Sequence, residues 1–202
     1  ADVARDMAGA IRDELLAARS AGREATLILP VGPVDQYPLL AEMINTARID
    51  SRDVVPINMD EYLSDARAPV PREHPLSFTG FMARKFYDLL DPALAPRAEN
   101  RVVPDPARPG DIARIIEERG GVDACFGGIG INGHIAFNEP PEPEEALSAE
   151  AFAGLSTRVL PLSRETRTIN SVTVGGEISV VPRMAVTVGM RECLGARRLR
   201  LY

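Results

Sequence analysis

The sequence predicts an α/β domain built on a mainly parallel sheet. Two observations carry this expectation. Short, nearly unbroken apolar runs at residues 25–30 (ATLILP) and 122–126 have the pattern of strands buried on both faces. Between such runs lie segments whose apolar residues recur three and four apart, the period of amphipathic helices, so strand and helix patterns alternate along the chain. At 202 residues and 45% apolar content, the chain is long enough for one well-buried core, and a single domain over 1–202 is expected.

The elements follow in order. Val3, Met7, Ile11 and Leu15 fall four apart, which predicts a helix over 2–20 ended by Gly22. The strand at 25–30 empties into the turn Val31-Gly32-Pro33, and a helix follows with Leu39, Leu40, Met43 and Ile44 inward. Residues 53–59 (DVVPINM) form a second strand, which Pro56 assigns to an edge or irregular position because proline cannot donate to a ladder. That strand ends at Asp60-Glu61-Tyr62. After a polar loop at 64–75, residues 77–90 read as a helix with Phe78, Met82, Phe86 and Leu89 on one face. Residues 91–110 are a loop holding a short strand at 101–103, and Ile112, Ile115 and Ile116 mark the next helix. The strand at 122–126 then leads into FGGIGINGHIAFNEP. The acidic, proline-rich segment behind it reads as a solvated loop with one or two helical turns, or as a lid. A strand at 157–160, a polar turn or helix (SRETRTIN) and a strand at 184–189 complete the pattern. The chain begins without Met and stops inside the strand-like run RRLRLY, so a piece trimmed at both ends is expected.

Charge and composition narrow the function. A net charge of −6 and a pI near 5.1 argue against a nucleic-acid or anionic-membrane surface. No apolar run is long enough to span a bilayer, and the first twenty residues carry acids throughout with no secretory signal, so a cytoplasmic location is expected. Cys125 and Cys193 are too few and too far apart for a disulfide framework or a zinc site and read as reduced core thiols.

Ligands of open α/β sheets bind outside the carboxyl ends of the strands. Three clusters sit at such ends: Val31-Gly32-Pro33, Asp60-Glu61, and the stretch from Gly128 to Glu139. Gly32, Gly128, Gly130 and Gly133 let a ligand approach the backbone, and free N–H groups there can hold an anion or a sugar oxygen. Asn138 can hydrogen-bond a ligand, and His134 with Glu139 five residues on has the makings of a general base and its partner. Each has a plainer reading: Asp60 as a turn or cap, Glu61 as a helix start, Asn132 as a left-handed turn residue. Gly128, Gly130 and Gly133 match G-x-G-x-x-G in letters, but HIAFNEPPEP opens no helix, which argues against dinucleotide binding.

NMDEYL (58–63), REHPLSF (72–78) and GGIGINGHIAFNEP (127–140) resemble the glucosamine-6-phosphate deaminase (isomerase) family, in the same order and at similar spacings. The sister 6-phosphogluconolactonases resemble the chain in the Gly-His loop but lack the FNEP continuation. The resemblance implies a Rossmann-like three-layer fold. It also implies aldose–ketose isomerisation of an amino sugar phosphate with loss of ammonia, with no metal or organic cofactor. By the same resemblance, Asp60 is the base at C2, His134 opens the sugar ring with Glu139 as its partner, and Asn132 stands where many members carry Asp. Family members range from monomers to hexamers, so a homo-oligomer is an open expectation. Departures fall on the phosphate site: Gly32-Pro33-Val34 lacks the family's hydroxyl, and Val172 stands where members place an Arg. Arg158, Arg164 and Arg167 are either substitute anion contacts or ordinary surface residues. Arg158 and Leu160 stand where allosteric members pair Arg with Lys, which predicts no such regulation. An unphosphorylated sugar, a sugar-lactone hydrolase and a non-catalytic sugar-binding protein are the alternatives.

Overall fold

A computed structural model describes residues 3–33 and 35–202; residue 2 of the expected first helix and Val34 lie outside the described residues. Helix α1 (Val3–Ser20) buries Met7, Ile11 and Leu15 with Ala8, Ala10 and Ala18. Gly22, at φ +68, turns the chain out of it, a conformation that strains any residue with a Cβ. Strand β1 (Thr26–Leu29) is buried throughout. In α2 (Gln36–Thr46), Leu40 and Ile44 are buried, with Leu39 and Met43 packed partly against the same core.

Strand β2 (Val55–Asn58) lies at the sheet edge, as Pro56 requires. The Pro56 carbonyl accepts a bond from the Val102 N–H on the outer side, so the missing N–H faces away from β1. The short strand expected at 101–103 is reduced to this bridge between Ile57 and Val102.

The next element departs from the sequence reading. Asp60–Leu63 is itself a strand, β3, and it belongs to a different sheet. Met59 is the crossover: its N–H donates to the Leu29 carbonyl and its own carbonyl accepts from Val188. Helix α3 (Phe78–Lys85) also stops early, at Phe86 with φ −132 and ψ −69. A 3-10 turn (Tyr87–Leu89) follows, which buries Phe86 but leaves Leu89 45% exposed instead of inward.

Helix α4 (Asp111–Glu118) and strand β4 (Ala124–Gly127) come next. The acidic segment carries a 3-10 turn (Pro143–Glu145) and the short α5 (Ala149–Ala153), close to what its composition predicts. Then come β5 (Arg158–Pro161), α6 (Arg164–Ser171), β6 (Met184–Thr187), an unanticipated α7 (Met190–Leu194) and β7 (Leu199–Leu201).

The main sheet has the order β2-β1-β4-β7, all parallel, and a second sheet, β3-β6-β5, is antiparallel. Side chains alternate across the main sheet. Leu27, Leu29, Ala124 and Phe126 pack with α1, α2 and Met82 of α3; Ile28, Val55, Ile57 and Cys125 pack with Ile112 of α4 and Cys193 of α7. The result is a three-layer α/β domain of Rossmann-like form. Both thiols are free and buried in the second of these layers. From β1 the chain runs outward to β2 and later returns to place β4 on the opposite side of β1. The connections diverge there and leave a crevice at the carboxyl ends of β1 and β4. Among the described residues, no helix is long and apolar enough to cross a membrane.

Candidate active site

A cleft of about 390 Å³ occupies that crevice. The loop after β1 supplies Val31, Gly32 and Pro33, the start of β3 supplies Asp60, and the loop after β4 supplies Gly128, Gly130 and His134. Three stretches far apart in sequence thus meet at one place, as the strand-end pattern predicts.

Asp60 and Glu61 are neighbours on a strand, so their side chains point to opposite faces. Asp60 faces the cleft at 7% exposure. Burial pushes its carboxyl well above the usual carboxylate range, and the charge of Glu61 pushes it further. Glu61 faces away. Its oxygens accept hydrogen bonds from the N–H groups of Tyr62 (2.9 Å), Phe78 (3.0 Å) and Thr79 (2.7 Å) and from the Ser77 hydroxyl (3.3 Å). These donors belong mostly to the first turn of α3, where a carboxylate complements the unpaired amides. The expectation that Glu61 binds substrate is therefore corrected: its carboxylate anchors a helix.

The glycine loop is a tight turn that presents an imidazole. Gly130 N–H donates to the His134 carbonyl (2.9 Å) and Gly133 N–H to the Gly130 carbonyl (3.0 Å), with Gly133 at φ +86. The His134 ring lies against Gly130, where a Cβ would overlap it. Gly128 and Gly130 line the cleft, but Gly133 is an exposed turn residue outside it. His134 Nδ1 stands 2.7 Å from Asn132 Oδ1 and 3.5 Å from Thr166 Oγ1. An amide oxygen only accepts, so Nδ1 carries the proton and Nε2 is left with a lone pair. Burial holds the imidazole below its ordinary value, with the charge of Glu139 working against that shift.

Glu139 acts on His134 through that field. Its carboxylate accepts from Ser163 N–H (3.0 and 3.2 Å) at the start of α6 and lines a neighbouring hollow of about 490 Å³. Asn138, expected at the ligand, is buried and fully used within the protein. Its Nδ2 donates to the carbonyls of Ile135 (3.1 Å) and Val188 (2.8 Å), and its Oδ1 accepts from Arg158 (2.7 Å). That knot ties the glycine loop to the end of β6. Arg158 is thereby engaged, and Arg167 donates to the carbonyls of Ile178 (3.0 Å) and Val181 (3.3 Å); neither lines the cleft. Arg164 is exposed, and Val172 is 70% exposed.

Sequence reasoning missed Asn170, which lines the cleft and donates to the Tyr62 hydroxyl at 2.8 Å. It also missed Thr166, buried beside His134, and Thr187, whose hydroxyl accepts from Phe137 N–H at 3.0 Å. The available signal was spacing: Thr166 and Asn170 are four apart on α6 and share a face. Among the described residues, no group of three His, Cys, Asp or Glu side chains is placed to hold a metal.

A Rossmann-like fold with a buried carboxyl and an imidazole in one strand-end cleft defines a class: α/β proteins with a candidate site at the topological switch point. No family model matches the chain. A glucosamine-6-phosphate deaminase of Serratia proteamaculans is 36% identical over 186 residues, 90% of this chain and 65% of that protein. The chain thus spans just under two thirds of that relative's length and is similar to it in sequence. In structure it is similar to a monomeric glucosamine-6-phosphate deaminase of the NagB superfamily, with TM-score 0.80 at 24% identity over 98% of this chain and 76% of that one. A 6-phosphogluconolactonase from Shewanella baltica gives TM-score 0.60 at 20% identity, over 98% of this chain and 75% of that one. These structural likenesses establish the shared fold.

Proposed function

We propose that this protein isomerises an amino sugar from aldose to ketose and releases its amine as ammonia, the reaction that turns glucosamine 6-phosphate into fructose 6-phosphate. The observation that carries the reading is the pairing of Asp60 and His134 across one cleft. The relationship to glucosamine-6-phosphate deaminases supports it.

The free Nε2 of His134 suits it to take the proton of the anomeric hydroxyl and return it to the ring oxygen, which opens the sugar. Asp60 then removes the proton from C2 and delivers it to C1 through the planar enolamine. The resulting C2 imine takes up water and expels ammonia, leaving the ketose. Asp60 must be ionised to begin, and burial works against that by raising its carboxyl. A protonated amine on the substrate reverses this, because an adjacent positive charge favours the carboxylate. The substrate's own amine thus favours the ionised base. Asn132 holds Nδ1 and so fixes which nitrogen faces the sugar.

Ammonia release from amino sugars by the full-length protein tests the reading. Asp60→Asn should remove it along with solvent-proton exchange at C2. Acid production from a sugar lactone without ammonia would instead assign the cleft to lactone hydrolysis.

A further inference from the structure

His134 meets two oxygens at Nδ1, and they differ in standing. Asn132 Oδ1 is the nearer, at 2.7 Å, but Asn132 sits on the exposed glycine turn, where water competes for its amide. Thr166 Oγ1 is farther, at 3.5 Å, and belongs to a side chain with 0% exposure on α6. A buried hydroxyl without a partner is costly, and the imidazole is the group this one faces. The backbone fixes where that hydroxyl stands. Ser163 caps α6: its Oγ accepts from Thr166 N–H at 3.2 Å, and its own N–H donates to the Glu139 carboxylate at 3.0 and 3.2 Å. The first turn of α6 is thus clamped by Glu139 and reaches the ring through Thr166. On the other side, the Nε2 edge of the ring lies against Gly130, a wall of the cleft.

From this arrangement we propose that Thr166 is a positioning residue for His134: its hydroxyl oxygen shares the Nδ1 proton with Asn132 and, carried on the clamped turn of α6, holds Nε2 at the Gly130 wall. A side chain set on a helix keeps such a geometry more closely than one on a loop. Thr166 lies outside the cleft lining, so it acts through the imidazole and not on a sugar. The proposal rests on the amino-sugar reading only for what the ring does with a substrate; the placement of the ring stands apart from it.

NMR of the full-length protein labelled with 15N-histidine, free of sugar, tests the placement. Thr166→Val keeps the side-chain shape and drops the oxygen. It is expected to raise the share of the Nε2-protonated tautomer of His134. The titration midpoint should also fall by about half a pH unit, because an acceptor at Nδ1 favours the charged ring. Thr166→Ser, which keeps the hydroxyl, should restore both, and Thr166→Ala carries the valine expectation where the valine variant does not fold. An unchanged tautomer and midpoint in a folded variant without the hydroxyl overturns the proposal. So does a shift that serine fails to restore, which would assign Thr166 to packing alone. Ammonia release is read in separate samples: Thr166→Val should lower kcat with KM little changed. No ammonia from the unaltered protein removes the proposed reaction and leaves the ring placement to the NMR result.

Discussion

Asp60 works against the fold that holds it. Its carboxyl titrates above its unfolded value, so it binds a proton more tightly folded than unfolded. Its contribution is favourable below the unfolded carboxylate range, about pH 4, and is lost as pH rises towards the folded value. Asp60→Asn should therefore raise the melting temperature at pH 7, by a margin that shrinks as the pH is lowered towards 4, while ending C2 exchange. Circular dichroism melts across that range, beside the exchange assay, would check both halves. His134 lies on the opposite side: it is held below 6.5, so its neutral form persists under mildly acidic conditions and NMR titration of the imidazole should find its midpoint below 6.5. Asn132→Asp would put a negative charge 2.7 Å from Nδ1, and NMR titration of the imidazole should then move up by about one pH unit or more. Gly130→Ala should cut kcat with the fold intact, because the new methyl displaces the ring while the loop is open to solvent. At this scale the meeting of His134 and Asp60 at one cleft was readable, since both follow the carboxyl ends of strand-like runs. Asn138 and Glu61 were not. Their residue types suit a ligand equally well, and only the burial of their partners shows that each is already satisfied.

Among elements, α3 depends most on a single distant side chain. Three of its early donors end on Glu61, so Glu61→Gln, which keeps the shape but removes the charge, should cost about 1.5–3 kcal/mol. For a domain of this size that is a fall of roughly 3–12 °C in melting temperature, measurable by calorimetry. The apolar period continued through Phe86 to Leu89 and so predicted a longer helix. The chain breaks instead where the Phe86 ring packs 5.4 Å from Tyr37 and 5.1 Å from Tyr87, a tertiary demand that periodicity does not encode. β3 was hidden for a related reason. Asp60-Glu61 reads as a polar turn until the partner strand β6 and the two separate destinations of the carboxylates are known.

For the whole molecule, the parallel sheet was visible because both its faces are covered, which forces unbroken apolar runs. The small antiparallel sheet was not, because β5 is only half-buried and each pairing joins residues remote in sequence. β1 contributes Leu27 to one core and Ile28 to the other, so neither layer can melt alone. A single cooperative transition, coincident by fluorescence and circular dichroism, is the expected result. Two sheets meeting at Met59 also have a mechanical consequence. Asp60 rides on β3 opposite Thr187, and Thr187 in turn holds the loop that carries His134. Asp60 and the His134 loop are therefore braced against one strand, β6, at the seam between the two sheets.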